Sequence, residues 1–258
     1  MDLELMEKVI LITGGTDGLG LALAQRLVEE GAAVAICGRD TARLAGAESL
    51  LGTMGGDVLA LRADAATPEG IEGFVEGSVS RWGRIDGIVH NAGQSALGPL
   101  EANDDAAWDG DLQLKLMGAV RLTRCALPHL RESRGVALFT LAMAAKAPGA
   151  TSEPSSVSRA AGMALMKALS KELGPDGIRV NAVLIGLIES GQWVRAAAAS
   201  GTALPEFYER LAANVAIPLG RVGRAEEFAD LASYLLSARA SYLTGSAINL
   251  DGGLSPAV

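Results

Sequence analysis

The amino-acid sequence predicts a doubly wound α/β fold, and three observations lead to that prediction. Short apolar runs alternate with longer segments in which apolar residues recur every three or four positions, as in strands followed by helices. The chain has 258 residues, 49% of them apolar, which is enough for a large core. Glycine is abundant, with 32 residues, and aromatic residues make up 4%, which suits a parallel sheet buried on both faces. Because no linker or repeat interrupts the alternation, we expect parallel strands, right-handed crossovers and a single domain over residues 1–258.

The alternation can be assigned element by element. The predicted strands cover residues 8–13, 32–37, 57–62, 85–90, 135–141, 178–184 and 246–250. The predicted helices cover residues 19–31, 41–52, 67–83, about 103–131 and 155–173. This order places the ends of the strands, and any ligand they hold, at one edge of the sheet.

Two segments depart from the alternation. Residues 191–222 are helical in pattern but interrupted by Gly201 and Pro205. They follow the sixth strand, so they are a candidate lid over a site, and an insertion for packing or oligomer contacts is the alternative. Residues 142–156 are small, contain proline and follow a strand, where open α/β sheets bind ligands.

Charge and cysteine usage exclude several classes of function. The net charge is -8 and the pI about 4.9, so neither nucleic acid nor an anionic membrane is an expected partner. Cys37 and Cys125 form no CxxC or zinc spacing, and His90 and His129 lack triad or metal-ligand spacing, so we predict no metal site. No apolar run reaches the roughly 18 residues of a membrane span and the N-terminus lacks a basic region, so we expect a cytoplasmic protein.

A glycine motif follows the first predicted strand. KVILITGGTDGLGLALAQRL is a strand, a turn with Gly14, Gly18 and Gly20, and the start of a helix. Glycines there let the backbone approach a pyrophosphate, which the amides and positive end of the helix then face. This context predicts a dinucleotide site, with an ordinary tight turn as the alternative.

With this motif and three others, the sequence resembles the short-chain dehydrogenase/reductase family. TGGTDGLG matches its cofactor motif, and HNAG at 90–93 stands where the family has NNAG. GIRVNAVLIG at 177–186 and SYLTGSAINLDGG at 241–253 match the sixth and last strands, so the resemblance covers roughly residues 6 to 253. It implies a Rossmann fold with strand order 3-2-1-4-5-6-7 and a homo-oligomer, commonly a tetramer.

The resemblance also implies which residues contact the cofactor. Asp64 stands where the family contacts the adenine ring, and Ser190 stands for a threonine that bonds the nicotinamide carboxamide. The full set of implied cofactor residues is Gly14, Thr16, Asp17, Gly18, Leu19, Gly20, Arg39, Asp64, Asn91, Ala92, Gly93, Arg159, Gly186 and Ser190.

The choice between the two nicotinamide cofactors depends on two residues. Arg39 follows the second strand, where NAD-preferring relatives carry an acid, and its guanidinium could pair with the 2′-phosphate of NADP. Alternatively, Arg39 is a solvated surface charge. Asp17 opposes NADP, because an acid before the second motif glycine would repel that phosphate. We expect NADP(H) in preference to NAD(H).

The family's catalytic asparagine, serine, tyrosine and lysine are all replaced in this alignment. Their positions hold Lys115, Ala142, Ser155 and Arg159. None of the three tyrosines, Tyr208, Tyr234 and Tyr242, has a lysine four residues later. A serine is a far weaker acid than a tyrosine, and an arginine cannot shuttle a proton.

Two functions remain open from the sequence. The first is an NADP(H)-binding protein with little or no hydride transfer by the usual tyrosine mechanism. The second is an active oxidoreductase for a carbonyl or conjugated substrate, in which Lys115, Arg159 and Lys146 converge on a pocket for a small anionic ligand and Lys115 donates a proton. The alternative for these cations is pairing with acids such as Asp111 or Glu153. Tyr208, from the candidate lid, is a further candidate acid.

Overall fold

The computed structural model describes residues 2–257 and contains a seven-stranded parallel sheet. Its strands are β1 (Val9–Thr13), β2 (Ala33–Gly38), β3 (Val58–Arg62), β4 (Gly87–His90), β5 (Val136–Ala142), β6 (Arg179–Ile185) and β7 (Ala247–Leu250). Their spatial order is β3-β2-β1-β4-β5-β6-β7, which confirms the predicted topology. The order reverses direction between β1 and β4, so a crevice opens at the carboxyl ends of these two strands.

Helices cover both faces of this sheet. They are α1 (Gly18–Glu29), α2 (Thr41–Thr53), α3 (Pro68–Trp82), α4 (Asp105–Leu112), α5 (Gly118–Ser133), α6 (Ser155–Glu172), α7 (Gly191–Ser200), α8 (Leu204–Asn214) and α9 (Ala225–Leu236). A π-helical turn, Gln113–Met117, joins α4 to α5. None of the helices in residues 2–257 is long and apolar enough to cross a membrane.

The side chains of the central strands alternate between two apolar cores. In β1, Val9 and Leu11 belong to the core under α3, α5 and α6, while Ile10 and Ile12 belong to the core under α1, α2 and α9. All five residues of β1 are buried. A strand buried on both faces explains why these segments are continuous apolar runs rather than alternating ones.

Local sequence sets the ends of the helices that point at the crevice. Asp17 caps α1, its carboxylate accepting a hydrogen bond from the Gly18 amide at 2.7 Å. Thr67 caps α3, and Gly83 ends that helix with a left-handed φ of 70°. Such caps satisfy amides that have no partner inside the helix.

A short antiparallel ribbon lies beside the crevice. Leu97–Gly98, after β4, pairs with Glu153–Pro154, just before α6. Next to it, the Ala96 amide donates to Ser155 Oγ at 3.0 Å. The ribbon therefore fixes the first turn of α6 against the loop that follows β4.

Candidate functional site

The glycine turn after β1 is a cradle that has no room for side chains. Gly14 has φ 69° and Gly18 has φ 51°, both in the left-handed region. A Cβ on Gly20 would lie 2.3 Å from the Gly14 carbonyl oxygen and 2.5 Å from Asn91 Nδ2. The three motif glycines are therefore required by backbone conformation or by close approach.

Asn91, just after β4, and Thr13, the last residue of β1, brace this cradle. Asn91 Nδ2 donates to the carbonyl oxygens of Thr13 and Gly14, both at 3.0 Å. Thr13 Oγ1 accepts from the amides of Asn91 and Ala92, both at 3.1 Å, and donates to the Val89 carbonyl at 3.2 Å. These contacts join the ends of β1 and β4 at the point where the sheet order reverses.

Asp17, the residue that argued against NADP, lies at the start of α1. This carboxylate caps α1 and faces the start of α7, where a Cβ on Gly191 would lie 1.9 Å from Asp17 Oδ2. Arg195 Nη1 lies 3.5 Å from the same oxygen. Because Asp17 is turned to α7 and has a cation beside it, its repulsion of a 2′-phosphate is weaker than the sequence suggests.

Arg39 lies at the carboxyl end of β2 and is exposed. Its side chain is 68% exposed, and Nη1 lies 3.8 Å from Asp64 Oδ2. Asp64 Oδ1 accepts from the Ala66 amide, which holds this carboxylate in a turn after β3. Thr16 packs between the glycine turn and Gly38, where a Cβ would meet its Cγ2 at 2.8 Å. Arg39 is therefore exposed at this edge, with one long ion pair to Asp64.

The buried hydroxyl of Ser190, which lacks a hydrogen-bond partner, indicates where a bound group could contact the cradle. Within residues 2–257, Ser190 Oγ is one of the buried side-chain oxygens that have no hydrogen-bond partner. It lies beside the glycine turn, because a Cβ on Gly18 would be 3.4 Å from Ser190 Cβ. Gly186, at the end of β6, packs against Asp251 too closely for a side chain. A buried hydroxyl is costly without a partner, so a polar group of a dinucleotide fits here.

Lys115, from the π-helical turn, meets the first turn of α6. Its Nζ lies 2.5 Å from Ser155 Oγ and forms an ion pair with Asp111. The side chain of Lys115 is 1% exposed. Burial lowers the pKa of Lys115 to about 8, and Arg159 lowers it too, while the hydrogen bond and charge of Asp111 oppose that change.

Arg159 lies one turn further along α6. Its Nη1 donates to the Thr140 carbonyl oxygen at 2.6 Å, and a Cβ on Gly93 would lie 2.5 Å from its Nη2. Burial lowers the pKa of Arg159 to about 10, and Asp111 opposes that change. Arg159 is therefore still a cation at neutral pH. Ala142 ends β5 without a polar side chain, paired with Ile185 of β6.

Lys115 and Arg159 line one small cavity. Its volume is about 10 Å³, room for about one water molecule, and its wall includes His90 and Phe139. The His90 ring packs against Phe139 with ring centroids 4.3 Å apart and planes tilted by 52°, and it shares a hydrogen bond with Thr123 Oγ1 at 3.0 Å. Burial lowers the pKa of His90 to about 3, so it is neutral and structural.

Lys146 does not join this cavity, contrary to the convergence considered from the sequence. Its Nζ donates to the Ala247 carbonyl at 3.0 Å and to Asn249 Oδ1 at 3.2 Å. These partners draw Lys146 to β7. The alternative in which Lys115 pairs with Asp111 is the one that the structure shows.

The three tyrosines lie away from the Lys115 cavity. Tyr208, on α8, lines a separate groove of about 490 Å³ with Glu189 and Arg221. Tyr234 bonds the Arg239 carbonyl at 3.4 Å, and Tyr242 is fully exposed. In this conformation, Ser155 is the hydroxyl that contacts Lys115.

Comparisons with known proteins identify the family of this chain. A family model described as enoyl-(acyl carrier protein) reductase matches residues 14–255. A probable 2,4-dienoyl-CoA reductase of Bacillus subtilis is 31% identical, over 96% of this chain and 96% of that one. The chain belongs to the short-chain dehydrogenase/reductase family.

Two solved structures are closely similar to the structure of this short-chain dehydrogenase/reductase. One is the NADPH-bound structure of a short chain oxidoreductase from Pseudomonas aeruginosa PAO1 containing an atypical catalytic center, with 35% identity, TM-score 0.92 and 98% and 100% coverage. The other is the L-sorbose reductase of Gluconobacter frateurii complexed with NADPH and L-sorbose, with 33% identity, TM-score 0.94 and full coverage of both chains. Assembly of this short-chain dehydrogenase/reductase into a homo-oligomer stays a prediction.

Sequence reasoning missed one member of the site. Ser158 Oγ donates to Asp111 Oδ2 at 2.5 Å, and Ser158 is buried. The sequence feature that could have identified Ser158 is its position three residues after Ser155, on the same face of α6. Serine in a first helical turn is common for other reasons, so the spacing alone could not reveal the contact.

Proposed function

We propose that this protein is an NADP(H)-dependent oxidoreductase that uses Ser155 and Lys115 where its relatives use a tyrosine. The hydrogen bond of 2.5 Å between Lys115 Nζ and Ser155 Oγ carries the proposal. Membership of the family and its NADPH-bound neighbours support the cofactor. Oxidoreductase activity by a route other than the tyrosine is the second of the two functions left open by the sequence.

The cradle and its surroundings would hold NADP(H). The amides around Gly14 and Gly18 would face the pyrophosphate, Arg39 the 2′-phosphate and Asp64 the adenine end. Ser190 Oγ, buried without a partner within residues 2–257, would bond the carboxamide. The bound cofactor would supply the hydride.

The chain supplies the proton at Ser155 Oγ. This oxygen accepts from the Ala96 amide and from Lys115, and its own proton is directed to Asp111 Oδ1 at 3.4 Å. To act as the donor, Ser155 would exchange this long contact for a hydrogen bond to a substrate oxygen. A serine hydroxyl alone is a poor acid, with a pKa near that of water at ~15.7. The Lys115 ammonium beside it replaces the proton as it leaves. Arg159 is a fixed cation that cannot shuttle a proton, so it contributes charge.

A substrate that needs only a weak acid suits this pair best. A conjugated carbonyl is already polarised, so less of the barrier depends on the proton donor. The family model's description and the dienoyl-CoA reductase relative support a conjugated acceptor. Lys115 and Arg159 face a single carboxylate, Asp111, and their net positive charge favours an anionic substrate.

The test is NADPH oxidation, followed at 340 nm, with enones, quinones and diketones. We expect Ser155→Ala and Lys115→Met to lower kcat by roughly 10²–10⁴-fold, the usual loss with a general acid. Lys171→Met is the matched control, because Lys171 is an exposed lysine of α6. Unchanged turnover in Ser155→Ala would overturn the proposal.

Cofactor binding without turnover is the second candidate, and one observation favours it. The Lys115 side chain is closed to solvent and already satisfied by Asp111. This candidate predicts NADPH fluorescence enhancement on binding, with no oxidation across the panel. Turnover would then appear only in the combined reversion Lys115→Asn, Ala142→Ser, Ser155→Tyr and Arg159→Lys.

A further inference from the structure

A buried carboxylate stands behind the lysine that contacts Ser155. Asp111 lies in the last turn of α4, is 6% exposed, and pairs through Oδ1 with Lys115 Nζ. Its second oxygen, Oδ2, accepts from Ser158 Oγ at 2.5 Å. Ser158 is 1% exposed. Three elements therefore meet at this carboxylate: α4, the π-helical turn and the first turn of α6.

We propose that Asp111 and Ser158 are positioning residues, which hold the Lys115 ammonium charged and aimed at Ser155 Oγ. This inference rests on the proposed function, since it names what keeps the proton source in place. Neither residue occupies one of the four positions at which the family carries its catalytic groups.

The hydrogen bonding supports an oriented carboxylate. A buried carboxylate is stable only when its oxygens have charged or hydrogen-bonding partners. Here Lys115 serves one oxygen and Ser158 the other, so the plane of the carboxylate is fixed from two sides. Because Ser158 belongs to the same helical turn as Ser155, the contact that fixes Asp111 also fixes its distance from the proton donor.

Electrostatics explains why the carboxylate is needed. Asp111 faces Lys115 from α4, while Ser155 and Arg159 face it from α6 and the neutral His90 lines the same cavity from β4. Burial and Arg159 both favour loss of the Lys115 proton, and Asp111 is the group that opposes them. Removing the charge of Asp111 therefore lowers the pH at which Lys115 gives up its proton.

The first measurement needs no turnover. The chain has five lysines, so NMR of protein labelled with ¹³C at lysine Cε resolves each titration, and Lys115→Met assigns the signal of Lys115. We expect Asp111→Asn to lower the pKa of Lys115 by about 1–3 units, the usual effect of one neighbouring opposite charge. We expect Ser158→Ala to lower it less. Ser156→Ala is the matched control, since Ser156 is a buried serine of the same turn that lies outside the cluster.

The second measurement is the pH profile of NADPH oxidation. The high-pH limb, where Lys115 loses its proton, should move down by the same number of units in Asp111→Asn and stay in place in Ser156→Ala. A merely structural role would lower the rate at all pH values without moving the limb. Should Asp111→Asn fail to fold by near-ultraviolet circular dichroism, Ser158→Ala carries the test.

The outcomes separate this inference from the proposed function. An unchanged Lys115 pKa in folded Asp111→Asn, or equal shifts in Ser158→Ala and Ser156→Ala, overturns the positioning role. If Asp111→Asn lowers the pKa of Lys115 but the wild-type protein shows no turnover, the positioning role is supported and the proposed function is overturned. If Lys115→Met abolishes turnover but Asp111→Asn leaves the pKa of Lys115 unchanged, the proposed function is supported and the positioning role is overturned.

Discussion

Replacing Gly20 by alanine should damage the nucleotide cradle more than any surface change of equal size. The new Cβ would lie 2.3 Å from the Gly14 carbonyl oxygen and 2.5 Å from Asn91 Nδ2. Both are parts of the brace between β1 and β4, because Asn91 Nδ2 donates to that same carbonyl. Contacts this short force the backbone of the turn to move.

The expected magnitude follows from three contributions. Relieving an overpacked contact costs about 1–3 kcal/mol, and losing the Asn91 hydrogen bond costs about 0.5–1.5 kcal/mol. Alanine gains about 0.5–1 kcal/mol over glycine within a helix. The net loss of unfolding free energy is roughly 0.5–4 kcal/mol, or about 1–16 °C in Tm at 2–4 °C per kcal/mol for a chain of this size.

Thermal unfolding and NADPH titration test this reasoning together. Gly73→Ala is the control, because Gly73 is an exposed glycine inside α3 and a Cβ there meets nothing within 4 Å. We expect Gly73→Ala to raise Tm slightly and leave NADPH binding unchanged. We expect Gly20→Ala to lower Tm and weaken NADPH binding at least tenfold, about 1.4 kcal/mol. Wild-type Tm and affinity in Gly20→Ala would refute the account of the cradle.

Three further predictions concern charge. Arg39→Ala should weaken NADPH binding about tenfold or more while sparing NADH. Arg43→Ala, in the first turn of α2, is the control and should leave NADPH binding unchanged. Equal losses for both cofactors in Arg39→Ala would remove Arg39 from the phosphate site. The pKa of His90 is about 3 in the fold because of burial, whereas the unfolded chain takes up its proton near ~6.5, so stability is lost as pH falls, by about 2 kcal/mol between pH 7 and 5. Urea unfolding midpoints measured at pH 7 and pH 5 should differ less in His90→Asn than in the wild-type protein. The same pH dependence of stability in both proteins would contradict this prediction. NADPH oxidation should decline as pH rises through about 8, because the Lys115 ammonium is then lost, and a rate that rises there would contradict its role as proton source.

Burial on both faces made the sheet predictable from the sequence. Every predicted strand lies within two residues of the observed one. The central strands are apolar along their whole length, because a parallel strand between two helical layers is buried on both faces. The edge strands β3 and β7 are half-buried. The glycine turn could also be predicted from the sequence, because its requirements are local. Gly14 and Gly18 adopt a left-handed φ, and Gly20 lies against the backbone of the turn. Predictions of this kind depend on a few neighbouring residues.

The segment predicted as one helix over about 103–131 shows where such reasoning ends. The structure divides it into α4, the π-helical turn Gln113–Met117 and α5. Apolar spacing of three and four residues fits both a continuous helix and one with a single wider turn, so the pattern could not reveal the interruption. The interruption matters because it contains Lys115. Its place in a buried cluster therefore depends on packing against α6.

The Asp111 and Lys115 pair makes the same point about charge. An acid four residues before a lysine is normally an exposed pair that stabilises a helix by a few tenths of a kcal/mol. Here both side chains are buried, at 2% and 1% exposure. Only another element can stabilise such a buried pair, and α6 does so with two hydroxyls, Ser155 on the lysine and Ser158 on the carboxylate.

A tyrosine at position 155 would place its hydroxyl several bonds further from the helix, so the lysine at 115 and the serine at 155 form one arrangement. It follows that Ser155→Tyr alone should not restore family chemistry, because it removes the hydroxyl partner of Lys115 and leaves the buried ion pair with Asp111 in place. The fourfold reversion, which also replaces Lys115, is the change that the geometry allows.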